Sequence, residues 1–170
     1  GALLDNALKA VPASTPAVEL YSLVVGGDGK QSVFMREADY VSDLLKTRFG
    51  AHGQVSLVNH REQMAKRPMA TRESIGRAIQ TLAQRSGPED LVFIYLTSHG
   101  THDHALVLDH PRLSLSDLPA DELAMAMAPL KNPDKVVVTS ACYSGGSISS
   151  LTPEHPLVLP PSPAHPAPPC

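Results

Sequence analysis

The chain contains a continuous apolar run that ends in a short polar turn, LVFIYL at 91–96 followed by TSHG at 97–100. A strand that is apolar at every position is typical of the buried centre of a parallel sheet. A second segment repeats this design, because KVVVT at 135–139 leads into SACYSGG at 140–146. His99 and Cys142 therefore follow two predicted buried strands at equivalent positions.

The segments before and between these runs alternate between strand and helix patterns. Strands are predicted at 19–25, 54–59, 91–97 and 135–140. A helix is predicted between each pair of strands: at 32–48, after Thr71 as its N-cap, and from Pro119 as its first residue. This order predicts an α/β fold, a three-layer α/β/α sandwich with a mainly parallel sheet. In such sheets ligands bind beyond the carboxyl ends of the strands, where the turn at 26–29, His99 and Cys142 all fall.

Three parts of the chain differ in composition. Residues 1–18 are weakly patterned and are predicted to be an N-terminal extension with a short helix near 3–8, and residues 19–152 are predicted to form the core domain. Residues 153–170 hold eight of the sixteen prolines. Because proline lacks the backbone N–H of a sheet ladder, we expect a disordered, partly polyproline II tail that adds no strand.

Charge and hydropathy argue against several classes of protein. The net charge of the 170 residues is −3, which predicts no binding of nucleic acid. No apolar run reaches the roughly 20 residues of a membrane-spanning helix. Two cysteines, Cys142 and Cys170, are too few for a disulfide framework, so Cys142 is expected to be a free thiol. No pattern in the sequence predicts an oligomeric state or a cellular compartment.

A histidine and a cysteine at one edge of a sheet are the groups that a cysteine hydrolase needs. A thiol with an ordinary pKa of about 8.5 requires a nearby imidazole to ionise at neutral pH. The same imidazole can then protonate a leaving amine. The backbone N–H groups of Gly100 and Cys142 are candidates for an oxyanion hole. This chemistry requires no cofactor.

A metal-dependent hydrolase is an alternative, because the segment from His99 to His110 is rich in metal-ligand residue types. The candidates are His99, His102, Asp103, His104 and His110. Only the final Asp-His pair fits the spacing His-x-His-x-Asp-His, so no metal site is predicted. The glycine-rich GGDGK at 26–30 fits neither a P-loop nor a dinucleotide-binding fingerprint, and it predicts a turn between strand and helix.

The two segments around His99 and Cys142 resemble those of the legumain-like cysteine peptidases. The resemblance covers about residues 19–150 and extends to VVGGDG at 24–29 and READ at 36–39. It implies the caspase–haemoglobinase fold for the core at 19–152, and a cysteine endopeptidase that acts on peptides or proteins through an acyl-enzyme. It also implies that His99 is the general acid–base, that Cys142 is the nucleophile and that the Gly100 N–H belongs to the oxyanion hole.

Other positions carry weaker expectations from the same resemblance. Arg36 is expected to line the primary specificity pocket. Ser140, two residues before Cys142, replaces an acidic residue that helps plant and animal legumains to recognise asparagine, so no asparagine preference is expected. Asp28 is the candidate for orienting His99. The family continues after the cysteine loop with a further strand, a pocket loop and helices, whereas this chain turns to proline after 152. The alternative expectation is therefore a truncated, catalytically incompetent binding module of caspase-like fold.

Overall fold

The computed structural model describes residues 1–131 and 135–140, and the backbone of a strand at 157–159. Its elements in chain order are α1 (Ala2–Lys9), β1 (Leu20–Gly26), α2 (Ser32–Thr47), β2 (Gly53–Val58), α3 (Arg72–Arg85), β3 (Leu91–Thr97), β4 (Ala105–Leu106), β5 (Leu118–Pro119), α4 (Ala120–Met127), β6 (Lys135–Ser140) and β7 (Leu157–Leu159). The four predicted main strands and the intervening helices are all present.

The main sheet has the strand order β2-β1-β3-β6-β7, and every neighbouring pair is parallel. Helix α2 covers one face, where Ala38 and Leu45 pack with Val24 and Val58. Helices α1, α3 and α4 cover the other face in one larger core. The predicted three-layer α/β/α sandwich is therefore confirmed.

The start of α3 follows from a local hydrogen-bond motif. The Ser74 N–H donates to Thr71 Oγ1 at 2.9 Å, and the Thr71 N–H donates to Ser74 Oγ at 2.8 Å. This reciprocal capping box satisfies two backbone donors that would otherwise be unpaired at the helix start. The predicted N-cap at Thr71 is confirmed, whereas Pro119 is itself the N-cap of α4 and lies one residue before its predicted place.

The first residues of the chain contribute to the core. Leu4 and Leu8 of α1 and Val11 after it are buried in the same cluster as α3. Arg77 of α3 donates to Asp5 Oδ1 at 2.8 Å. The segment 1–18, expected to be an extension, therefore supplies three side chains to the larger core.

The proline-rich segment contains one strand, which corrects the expectation that it adds none. Backbone pairing joins Val136 of β6 to Leu157 and Val138 to Leu159, in parallel. The strand lies at the edge of the sheet between Pro156 and Pro160, so neither proline stands within the ladder. The other residues of 153–170 lie outside the described residues.

Among the helices that the structure describes, none combines the length and the apolar character needed to cross a membrane.

Candidate active site

The carboxyl ends of the three central strands lie side by side. Gly26 of β1 pairs with Thr97 of β3, and Thr97 pairs with Ser140 of β6. Backbone hydrogen bonds extend one residue beyond these paired positions. The Gly27 N–H donates to Thr97 O at 3.0 Å, and the Ser98 N–H donates to Ser140 O at 3.2 Å. The turn after β1 and the loop after β3 therefore share one edge of the sheet with the end of β6.

His99 is held on two sides at this edge. Its Nδ1 lies 2.8 Å from Oδ2 of Asp28, a carboxylate that is only 6% exposed. The ring of Phe34 packs edge-on against the imidazole, with 4.9 Å between the ring centroids and 78° between the planes. Because an ionised carboxylate only accepts hydrogen bonds, this contact assigns the imidazole hydrogen to Nδ1 and leaves Nε2 available to exchange a proton.

Asp28 is fixed by the backbone on either side of it. The Gly29 N–H donates to Asp109 O at 2.8 Å, and the Asp109 N–H donates to Gly27 O at 3.0 Å. A Cβ at Gly27 would lie 2.6 Å from Val107 O, and one at Gly29 would lie 2.8 Å from Asn59 O. Only glycine allows this approach, so the GGDG turn places its one carboxylate against His99 through tight backbone packing.

The buried side chain of Asn59 supports the same turn from the end of β2. Its amide donates to Gly27 O at 2.9 Å and to Ala70 O at 2.8 Å, and its carbonyl accepts the Ala70 N–H at 2.9 Å. These three hydrogen bonds satisfy the buried side-chain amide of Asn59 and join the turn that carries Asp28 to the segment before α3.

Helix α2 brings a second carboxylate to this edge. Glu37 Oε2 accepts a hydrogen bond of 2.5 Å from Thr97 Oγ1, one helical turn after the Phe34 contact with His99. Gly26 permits this close packing, because a Cβ there would lie 3.2 Å from Phe34 O. Burial raises the pKa of Tyr95, and the nearby charge of Glu37 raises it further.

Arg36 and Ser140, the two residues expected to contact substrate, differ in how exposed they are to solvent. Arg36 is exposed on α2, one residue before Glu37, and forms no ion pair with the described residues. Ser140 is half-buried at the end of β6, paired with Thr97.

The loop after His99 folds back as a narrow hairpin. Gly100 forms an antiparallel bridge with Leu106. The hydrogen bonds of this bridge come from its neighbours, because the Val107 N–H donates to His99 O at 2.9 Å and the Thr101 N–H donates to Ala105 O at 3.0 Å. The Gly100 N–H therefore takes no part in the bridge.

The histidines after His99 do not converge with it. His110 is 3% exposed, its Nδ1 accepts the Arg112 N–H at 3.1 Å, and burial lowers its pKa. No three side chains among histidine, cysteine, aspartate and glutamate are grouped to hold a metal ion in the part of the chain that is described.

Cys142 lies outside the described residues, in the segment 141–156. Of the candidate residues, the structure brings Asp28 and His99 into contact and leaves Arg36 at the surface. Sequence reasoning missed Phe34 and Glu37, whose spacing of three residues on a predicted amphipathic helix was the available signal.

The chain also matches a known protein family. A model of the Peptidase C13 family matches residues 74–165, more than half of the 170-residue chain. The matched segment runs from α3 through His99 and Cys142. Among curated proteins, none matches the chain. The chain therefore belongs to the Peptidase C13 family, the legumain family of cysteine peptidases.

Proposed function

We propose that this chain is a cysteine endopeptidase in which Cys142 is the nucleophile and His99 is the general acid–base. The observation that carries the proposal is the 2.8 Å contact between His99 Nδ1 and Asp28 Oδ2 at the carboxyl edge of the sheet. Ser140, the last residue of the neighbouring strand, lies two positions before Cys142 in the sequence. Membership of a peptidase family implies peptide or protein substrates.

The reaction proceeds in two halves. His99 Nε2 accepts the proton of the Cys142 thiol, and the thiolate attacks the scissile carbonyl carbon to form a tetrahedral intermediate. The imidazolium then gives its proton to the leaving amine, the C–N bond breaks, and a thioester remains on Cys142. In the second half, His99 takes a proton from water, the hydroxide attacks the thioester, and the proton returns to the departing sulfur as the acid leaves.

Two groups assist these steps. The Gly100 and Cys142 N–H groups donate to the oxyanion of each intermediate, and the absence of the Gly100 N–H from its own hairpin bridge supports this role. Asp28 holds Nδ1 protonated and stabilises the imidazolium, so it acts through His99 as a positioning residue.

The remaining residues complete the assignment. Arg36 and Ser140 are proposed to contact the substrate. Residues 19–152 are proposed as the peptidase core, with an N-terminal extension at 1–18 that packs Leu4, Leu8 and Val11 into it and a proline-rich tail at 153–170 that adds the edge strand β7.

The test is hydrolysis of a mixed peptide library by the full chain, by Cys142→Ala and by His99→Ala. We expect the chain to cleave, both variants to lose at least about a hundredfold in kcat/KM, and a chelator to have no effect. Peptides that bind to the chain without being cleaved would indicate a binding module instead. Activity that survives alkylation but disappears with the chelator would indicate a metal-dependent hydrolase.

A further inference from the structure

We infer that His60 and His110 form an acid-sensitive pair that holds the Asp28 turn in place only while both imidazoles are neutral. The inference rests on the proposed function in one respect, since this turn carries the carboxylate that contacts His99. The side chains of His60 and His110 are 8% and 3% exposed, and they lie in the loops after β2 and after β4. The proposed reaction uses neither of these buried titratable groups.

The hydrogen bonds of His60 determine where its ring hydrogen lies. Its Nδ1 accepts the Glu62 N–H at 3.2 Å, so the hydrogen is on Nε2, which lies 3.0 Å from Ser32 Oγ and donates to it. A second proton would have to bind at Nδ1, where it would face the Glu62 N–H and remove its acceptor. His60 therefore keeps both hydrogen bonds only as the neutral imidazole.

His110 has the same arrangement. Its Nδ1 accepts the Arg112 N–H at 3.1 Å, and its Nε2 is buried in a region where the backbone of His60 lies beside the ring. A proton at Nδ1 would remove the acceptor of the Arg112 N–H. The folded chain therefore favours the neutral form of His110 through geometry as well as burial.

The charges around His110 act in both directions. Burial lowers its pKa, the charge of Arg112 lowers it further, and so does a protonated His60. The Asp109 carboxylate and the backbone of His60 raise it, but the net direction is down. Asp109 is itself paired with Lys30 at 3.0 Å. The charged residues that adjoin the pair in the chain or in space are Lys30, Arg61, Glu62, Asp109 and Arg112.

The residues directly before the two histidines hold the turn. The Gly29 N–H donates to Asp109 O at 2.8 Å, and a Cβ at Gly29 would lie 2.8 Å from Asn59 O and 2.9 Å from Asp109 O. Ser32, which accepts the hydrogen bond from His60, is the first residue of α2 and follows the turn. A displacement of either histidine is therefore transmitted to the segment that carries Asp28.

Acid is expected to release this segment. A histidine whose pKa is lower in the folded chain gives stability that is present above the unfolded value of about 6.5 and is lost as the pH falls below it. This range lies above the pKa of ordinary carboxyl groups, at about 4. Between pH 7.5 and pH 5.5, protonation of the pair should loosen the turn and separate Asp28 from His99.

The experiment compares the full chain with His60→Asn, His110→Asn and His104→Asn. The asparagine Oδ1 replaces the acceptor Nδ1 and cannot be protonated in this range. His104 is exposed in the same loop as His110, and its φ of 62° suits asparagine, so its variant is the matched control. Urea denaturation from pH 7.5 to pH 5.5 gives the ratio of folded to unfolded chain. NMR of the unmodified chain reports the ring tautomers and the Gly29 amide, independently of how the variants fold.

We expect the ratio to fall roughly tenfold over this range in the full chain and in His104→Asn, and only about threefold in His60→Asn and in His110→Asn. The NMR spectra should show the Nε2–H tautomer for His60 and His110 at pH 7.5, and a Gly29 amide shift that follows their titration.

An Nδ1–H tautomer in either buried histidine, a Gly29 amide unchanged by their titration, or the same fall in all four proteins would overturn the inference and leave the proposed function standing. Labelling of Cys142 by iodoacetamide at pH 7.5, with and without His99→Ala, is measured in parallel. Labelling that does not depend on His99 would overturn the proposed function and leave the tautomers and the stability differences as tests of the pair.

Discussion

Asp28 Oδ2 lies 2.8 Å from His99 Nδ1, although 71 positions separate the two residues in the chain. The parallel pairing of β1 with β3 accounts for this contact, because it ends with Gly26 beside Thr97 and sends both following loops to one edge. The carboxylate fixes which imidazole nitrogen carries the hydrogen. The proton transfer that we propose for His99 therefore depends on a carboxylate in the turn after another strand.

The first prediction concerns Asp28→Asn, which keeps the size of the side chain and removes its charge. We expect kcat for peptide hydrolysis to fall by about a hundredfold, with KM within about twofold, because the imidazolium loses its counter-charge while substrate contacts remain. Steady-state kinetics separate the two parameters.

Asp109→Asn is the matched control for this substitution. Asp109 belongs to the same loop cluster, but its carboxylate pairs with Lys30 at 3.0 Å. Its kcat should stay close to that of the unmodified chain. Equal losses of kcat in the two variants would mean that kcat depends on the negative charge of these loops as a whole and not on the contact between Asp28 and His99.

The second prediction concerns Gly27→Ala. A Cβ at this position would meet Val107 O at 2.6 Å, so the turn that carries Asp28 must move. We expect the free energy of unfolding to fall by about 1–3 kcal/mol and activity to fall further than stability alone explains.

Gly76→Ala provides the comparison, since no atom lies within 4 Å of a Cβ at that helical position. It should raise the free energy of unfolding by about 0.5–1 kcal/mol through its higher helix propensity. Urea denaturation measures the free energy of unfolding of both variants. An unchanged value for Gly27→Ala would show that the turn is not tightly packed.

Sequence patterns predicted the sheet and the edge on which the candidate site lies, because long apolar strands and their loops are local features. Asp28 is a candidate partner of His99 only through the resemblance to the legumain-like peptidases, which implies a residue that orients the histidine. Phe34 and Glu37 were not recognised, because their contacts depend on how closely α2 packs onto β1 at Gly26. Residues 156–161 begin like the strand that follows the cysteine loop in the family, but the expectation that the segment adds no strand was wrong, because the proline content of the whole segment outweighed the three apolar residues Leu157–Leu159.

The third prediction concerns the pH dependence of stability at Asp90. Burial alone would raise the pKa of this carboxylate, but hydrogen bonds from Ser14 Oγ and from the Glu19 and Gly87 N–H groups outweigh burial and lower it. A pKa that is lower in the folded chain gives stability that is present above the unfolded value of about 4 and is lost as the pH falls below it.

Asp90→Asn should therefore lower the free energy of unfolding by about 1–3 kcal/mol at neutral pH, because one amide oxygen cannot replace two carboxylate oxygens. Urea denaturation between neutral and acid pH should show this difference shrinking as the pH falls through 4. The exposed Asp43→Asn should show little difference at any pH, and a constant deficit in Asp90→Asn would rule out the charge as its cause.

The most direct test of the central claim is the rate at which iodoacetamide alkylates Cys142 relative to Cys170 in the same chain, measured by peptide mass mapping below pH 7. An ordinary thiol is only slightly ionised there. If His99 activates Cys142, that residue should react at least about tenfold faster than Cys170, and His99→Ala should abolish the difference. Equal rates for the two cysteines, or a difference that survives His99→Ala, would contradict the account.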